Sequence, residues 1–211
     1  MDGENAGNDP EGRARPDLRD AILRASLELG TELGEEGLTM RAIAARLGVS
    51  ATALYQHFDG KAAILRAIRV YGGELLSQHL MPAHDLPDPV ARLEEQSRRY
   101  VGFARDNPWL YRLLFQEEEL DWKRASNDEI QSLLSTHYKT AQAFTDAVAS
   151  QQFRSDTDVA TAPFLLWAAN HGLATLILGG RISETHPAFP VRDQNAFVEA
   201  FVRSVLRGFE P

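Results

Sequence analysis

The chain has 211 residues, 44% of them apolar and 25% charged, which is enough length and apolar content to bury the core of an ordinary globular protein. It contains no cysteine, and this excludes disulfides, thiolate metal sites and a cysteine nucleophile. A net charge of −8 excludes a uniformly basic nucleic-acid binder, yet the charge is uneven: residues 15–80 carry eight basic and eight acidic side chains, residues 81–211 thirteen and eighteen. A neutral module on an acidic protein binds DNA where its few cations converge on one face.

Residues 1–15 are polar, hold three glycines and lack the apolar stretch of a secretion signal, so they read as a short disordered tail on a cytoplasmic protein. No run approaches the roughly 18 apolar residues needed to span a membrane. A first helix is expected from Pro16–Asp17, with Leu18, Ile22, Ala25, Leu27 and Leu29 as its apolar stripe and Gly34 and Gly37 interrupting it. Short helices follow Thr39 and Ser50, and a long one runs from about Gly60 to Leu80. Three prolines between Met81 and Pro89 mark a break, placed as the boundary between two domains: residues 16–65, with a connecting helix to about 80, and residues 85–209.

Beyond the break, Val90 to Arg105 is amphipathic, with Leu93, Tyr100, Val101, Phe103 and Ala104 facing inward. Another helix starts at Asn107-Pro108 and runs through Phe115; Glu117, Glu118 and Glu119 read as a solvated helix end or loop. Further helices are expected over Asp128–Ser150, Asp156–Leu178 and Arg192–Phe209, with a proline-bracketed loop at His186–Pro190. No alternating β pattern of useful length occurs, so the fold class is all-α.

The most informative stretch is Leu38 to Phe58. Thr39 is a good N-cap, Met40, Ile43, Ala44 and Leu47 form one apolar face, and Gly48 suits a left-handed helix end. Val49 then turns into the core and Ser50 caps the next helix, which is the spacing of a helix-turn-helix. In that geometry the second helix, Ala51 to His57, enters a major groove. Leu54 and Phe58 suit the core, while Ala51, Thr52 and Ala53 are small enough to approach base edges and thymine methyls. Tyr55 and His57 reach further, towards phosphates, and Lys61 falls in the first turn of the following helix, where free N–H groups favour an anion.

The run Thr39…Ile43-Ala44…Leu47-Gly48-Val49-Ser50…Leu54-Tyr55…His57-Phe58…Lys61 resembles the DNA-binding signature of the TetR/AcrR family of bacterial regulators, over about residues 17–66. The resemblance implies backbone contacts from Thr39, Tyr55, His57 and Lys61 and base-facing positions at Ala51, Thr52 and Ala53. Ala53 departs from the threonine that the family often has there. Residues 85–208 are similar to the C-terminal domain variant with a Trp…His-Gly signature, through Tyr100-Val101-Gly102-Phe103-Ala104, Asn107-Pro108-Trp109 and Trp167…His171-Gly172. The family implies a repressor, a two-fold dimer on a near-palindromic double-stranded operator, and a small-molecule ligand of unknown identity.

Tyr100, Phe103, Tyr111, Phe115, Phe164, Trp167 and His171 are the candidate ligand residues, an aromatic set with a polar handle that suits a mostly apolar molecule. Each also fits an ordinary core position. Ala168 and Gly172, on a helix rich in small residues, and the ridge Phe197, Phe201 and Val205 are the candidate dimer interface, the alternative being a ridge that packs only on its own subunit. No nucleophile elbow, phosphate-binding glycine loop or paired-histidine motif is present, so neither an enzyme nor a bound metal or cofactor is expected.

Overall fold

A computed structural model describes residues 17–115, 127–188 and 190–211, with backbone alone for 127–129 and 131–133. The tail (residues 1–15), Glu117–Glu119 and Phe189 lie outside the described residues. The described chain is all-helical, its one departure an isolated bridge between Ser183 and Pro190. In chain order the helices are α1 (Leu18–Gly37), α2 (Met40–Leu47), α3 (Ala51–Tyr55), α4 (Lys61–Leu80), α5 (Pro89–Asp106), α6 (Pro108–Phe115), α7 (Asn127–Ala149), α8 (Ala162–Leu178) and α9 (Gln194–Arg207).

Local chemistry sets most of these ends. Asp17 caps α1 by accepting from the Arg19 amide at 3.2 Å, and Thr39 Oγ1 accepts from Ala42 N at 3.1 Å. Gly48 ends α2 with φ 66°, a left-handed conformation that costs a glycine nothing, and Ser50 Oγ caps α3 by accepting from Ala53 N at 3.2 Å. Helix α3 is shorter than expected. Its last carbonyl turn closes when the amides of His57 and Phe58 both bond Leu54 O at 3.0 Å, so the helix stops at Tyr55. The proline-rich break forms a 3-10 turn (Met81–Asp85), and Asp88 then caps α5 with Pro89 in the first turn.

Helix α8 also begins later than expected, at Ala162 rather than Asp156. The Asp158 carboxylate accepts from the amides of Ala160 and Thr161 and from the Thr161 hydroxyl, which holds residues 158–161 as a turn and leaves Pro163 in the first helical turn.

Two apolar clusters form the interior. The first joins Ile22, Leu38, Ile43, Leu54 and Ile64 to Tyr100, Phe103, Leu110, Tyr111 and Leu113, and so runs across the 81–89 break into α5 and α6. The second gathers Leu93, Phe144, Phe153, Leu166, Val198 and Val202 from α5 and α7 to α9. Helix α6 is seated on the head of the molecule: the Trp109 ring occupies the space where a side chain on Gly30 would stand, and Leu110 lies in the equivalent space at Gly72 of α4.

Candidate functional site

The α2–α3 turn presents a distinct outer face. Leu54 and Phe58 are buried, and the Arg19 guanidinium lies 5.0 Å above the Phe58 ring. This anchoring leaves Ala51, Thr52, Tyr55 and His57 exposed and Ala53 half-buried. Thr39 and Ser50 are exposed as well, each with its oxygen already accepting a capping hydrogen bond and its hydroxyl proton still available.

The charges around this face are partly committed. Arg46 pairs with Glu32 (2.6 Å) and Glu28 (3.3 Å), and hydrogen bonding to Arg46 holds the Glu32 carboxyl below its ordinary range. Lys61, the first residue of α4, donates to the Glu35 carbonyl at 2.6 Å and lies 3.5 Å from the Glu35 carboxylate. It is therefore tied to the end of α1 and must exchange this contact to reach an outside anion. Arg41, at the start of α2, is exposed and takes part in no ion pair among the described residues. The sequence motif did not single it out, although a cation in the first turn after the exposed Thr39 N-cap was a readable signal.

A cavity of about 540 Å³ opens between α4, α5, α6, α7 and α8. Four of the seven aromatic candidates line it: Tyr100, Phe115, Phe164 and Trp167. The other three sit behind the wall. Phe103 is buried with its ring 5.8 Å from His79. Tyr111 is fully buried and its hydroxyl meets His171 Nδ1 at 2.6 Å, while the Tyr100 hydroxyl lies 3.2 Å from that of Tyr111. Burial lowers the His171 pKa and pushes that of Tyr111 up to about 12, so the ring is neutral and the phenols keep their protons. The consistent arrangement is Tyr100 O–H to Tyr111 O–H to His171 Nδ1, which assigns the imidazole proton to Nε2. His171 stacks at 26° on both Tyr111 and Trp167, so these rings form one rigid aromatic column.

Leu76, Leu80, Leu114, Pro163 and Leu166 extend the apolar wall, and the polar, uncharged part comes from Ser77 of α4, Gln96 of α5, Thr136 and Thr140 of α7, and Asn170 of α8. In the sequence, hydroxyls and amides on amphipathic helices read as solvated faces, and nothing local shows that four helices turn them towards one cavity.

Helix α8 is apolar around its whole circumference. Leu166, Asn170, Leu173 and Ile177 face inward, while Leu165, Ala168, Gly172 and Leu176 form an exposed stripe on the opposite side. A Cβ on Gly172 would meet nothing of its own chain within 4 Å. Phe197, Phe201 and Val205 are half-buried and pack on the second core cluster of the same chain. The ridge thus has its own intrachain partners, and Leu165 and Leu176 emerge as surface residues that the small-residue pattern had missed.

Known proteins agree with this layout. Residues 22–68 match the family described as bacterial regulatory proteins, tetR family, and residues 93–205 match the tetracyclin repressor-like C-terminal domain. The class C tetracycline repressor of Escherichia coli is 52% identical over 50 residues, covering 24% of this chain and 23% of that protein. The class D repressor of Escherichia coli is 37% identical over 94 residues, 44% of this chain and 38% of that one. The alignments thus span less than half the length of these two repressors. A structure of a Rhodococcus sp. RHA1 protein of unknown function superimposes with a TM-score of 0.78 at 23% identity, covering 95% of this chain and all of that one, and shares its fold. With a head-domain match at one end and a C-terminal domain match over more than half its length, the chain belongs to the TetR family of bacterial regulatory proteins.

Proposed function

We propose that the protein is a sequence-specific DNA-binding transcriptional regulator, a repressor that leaves its operator when a small, largely apolar ligand fills the cavity. The observation that carries this reading is the outer face of α3, where a buried Leu54–Phe58 anchor leaves the small residues Ala51 and Thr52 exposed at the helix start. Residues 16–65 serve as the DNA-binding domain and residues 85–209 as the ligand-binding and dimerisation domain. Thr52 with Ala51 and Ala53 reads bases, and Thr39, Ser50, Tyr55, His57 and Lys61 position the phosphates, with Arg41 beside them. The named relatives are tetracycline repressors, which supports repression.

The dimer rests on α8. An apolar helix face left open to water, with an interior glycine that its own chain does not need, fits close approach by a second copy across a two-fold axis. Two copies then place two α3 helices for a near-palindromic operator.

The experiment is selection of bound DNA from a random pool, followed by affinity measurements against salt. With roughly 4–8 phosphates neutralised per dimer, the log–log slope is expected at about −4 to −7. Thr52→Ala should relax preference at one base pair per half-site, at a cost of about 1–3 kcal/mol. A slope near zero, or an unchanged preference in the variant, would refute the placement of α3 in the groove. Gly172→Arg should give monomers in sedimentation; a dimer of unchanged strength would move the interface off α8.

A further inference from the structure

The cavity is lined by residues from five helices, and among the described lining residues there is no carboxylate, ammonium or guanidinium. Its aromatic side is formed by Phe115, Phe164 and Trp167, and its polar side carries only hydroxyls and carboxamides. Two features of that polar side are incomplete. Thr140 Oγ1 lies within bonding distance of both Thr136 O (2.7 Å) and Gln96 Oε1 (2.9 Å), yet a hydroxyl has one proton. The proton goes to the closer carbonyl, and the Gln96 amide then turns to donate to Thr140. In either orientation Gln96 retains a free donor or acceptor. Asn170 is the second case. Its Nδ2 donates to Ser97 Oγ at 2.9 Å, and Ser97 spends its own proton on Leu93 O at 2.8 Å. The amide is thereby fixed, and Asn170 Oδ1 is left buried without a hydrogen-bond partner. A buried acceptor without a donor is rare and costly in a protein interior.

We propose that this cavity selects an uncharged molecule with a flat aromatic body and a neutral hydrogen-bonding edge, a hydroxyl or N–H group, and rejects anions and cations of the same shape. The inference rests on the reading of the cavity as the ligand site and adds the charge state of the ligand. A charge entering such a wall loses its hydration and finds no carboxylate, ammonium or guanidinium counter-charge among the described lining residues. His137, beside Phe164, is the one basic side chain among the described lining residues.

The test uses two dyes of one skeleton on the full chain at neutral pH: N-phenyl-1-naphthylamine, which is uncharged with one N–H, and 1-anilinonaphthalene-8-sulfonate, its sulfonated counterpart. Tetraphenylphosphonium serves as a cationic competitor. The neutral dye should bind at least 100-fold more tightly than the sulfonate, and tetraphenylphosphonium should not displace it. Trp167→Ala reports location: it should weaken the neutral dye at least tenfold while the circular dichroism of the chain stays unchanged. Gln96→Lys should shift the ratio of the two affinities at least tenfold towards the sulfonate. Comparable binding of both dyes, each weakened by Trp167→Ala, would overturn the charge selection and leave the cavity reading standing. A neutral dye whose affinity is unchanged by Trp167→Ala lies elsewhere, and that result would sink the cavity reading together with the inference.

Discussion

The α2–α3 turn and helix α8 are held in place by different kinds of contact. In the turn, Thr39 caps onto Ala42, Gly48 closes back on α2 and Ser50 caps onto Ala53, all within fifteen residues of chain. In α8, Asn170 bonds Ser97, His171 bonds Tyr111 and Phe164 lies against His137, across 73, 60 and 27 positions of chain, and the opposite face is uncovered. The turn reaches its final shape within one subunit. Helix α8 has an apolar side that its own chain leaves exposed, so local sequence settles the first, while the second depends on residues far along the chain.

Core truncations give the largest test of this contrast. Phe144→Ala in the second cluster should cost about 3–5 kcal/mol, and Leu54→Ala in the first about 2–5 kcal/mol, both read from urea denaturation. Because the first cluster joins the head to α5 and α6, Leu54→Ala should shift a single transition. A separate early transition of the head would show that the two regions are energetically independent. Next comes the turn itself. Gly48→Ala forces a side chain into φ 66° and should cost about 1–2 kcal/mol with no change in oligomeric state; a neutral result would mean that the turn relaxes to another shape.

Smaller still is a pH effect near the break. Burial, reinforced by the positive charges of Lys139 and Arg92, lowers the His84 pKa from 6.5 to about 4. The unfolded chain takes up this proton near pH 6.5 and the folded chain near pH 4, so the stability is complete above pH 6.5 and is lost as pH falls towards 4. After discounting for the ring's partial exposure, the loss is on the order of 1 kcal/mol. His84→Gln should remove that slope between pH 6.5 and 4, and an identical pH profile would assign the dependence to other groups. The smallest effect belongs to the exposed Arg46–Glu32 pair, where Glu32→Gln should change stability by less than about 0.5 kcal/mol.

The head was legible because its signals are local: N-caps, a left-handed glycine and an apolar spacing that each act over three or four residues. The inward face of α5 was legible for the same reason, and Leu93, Tyr100, Val101, Phe103 and Ala104 are all buried. The cavity was legible only on its aromatic side. Its polar side depends on Ser77, Gln96, Thr140 and Asn170 converging from four helices, a relation no window of sequence contains. Phe197, Phe201 and Val205 have the spacing of an interface, but that spacing equally describes a helix packed on its own core. The start of α8 was misplaced because Asp158 makes a turn where helical periodicity alone would continue.

Helix α6 gives the seat of Trp109 on Gly30 a mechanical meaning. Trp109 stands at one end of this helix, against α1, and Leu114 and Phe115 stand at the other, in the cavity wall. Six residue steps at 1.5 Å each separate them by roughly 9 Å of hydrogen-bonded helix. Arg69 of α4 braces the same helix by donating to the Leu113 carbonyl at 3.1 Å. A helix this short transmits push and rotation as a strut, with little bending of its own. With no side chain on Gly30, the Trp109 ring rests directly on the α1 backbone, so a single short helix touches both the cavity wall and the first helix of the chain.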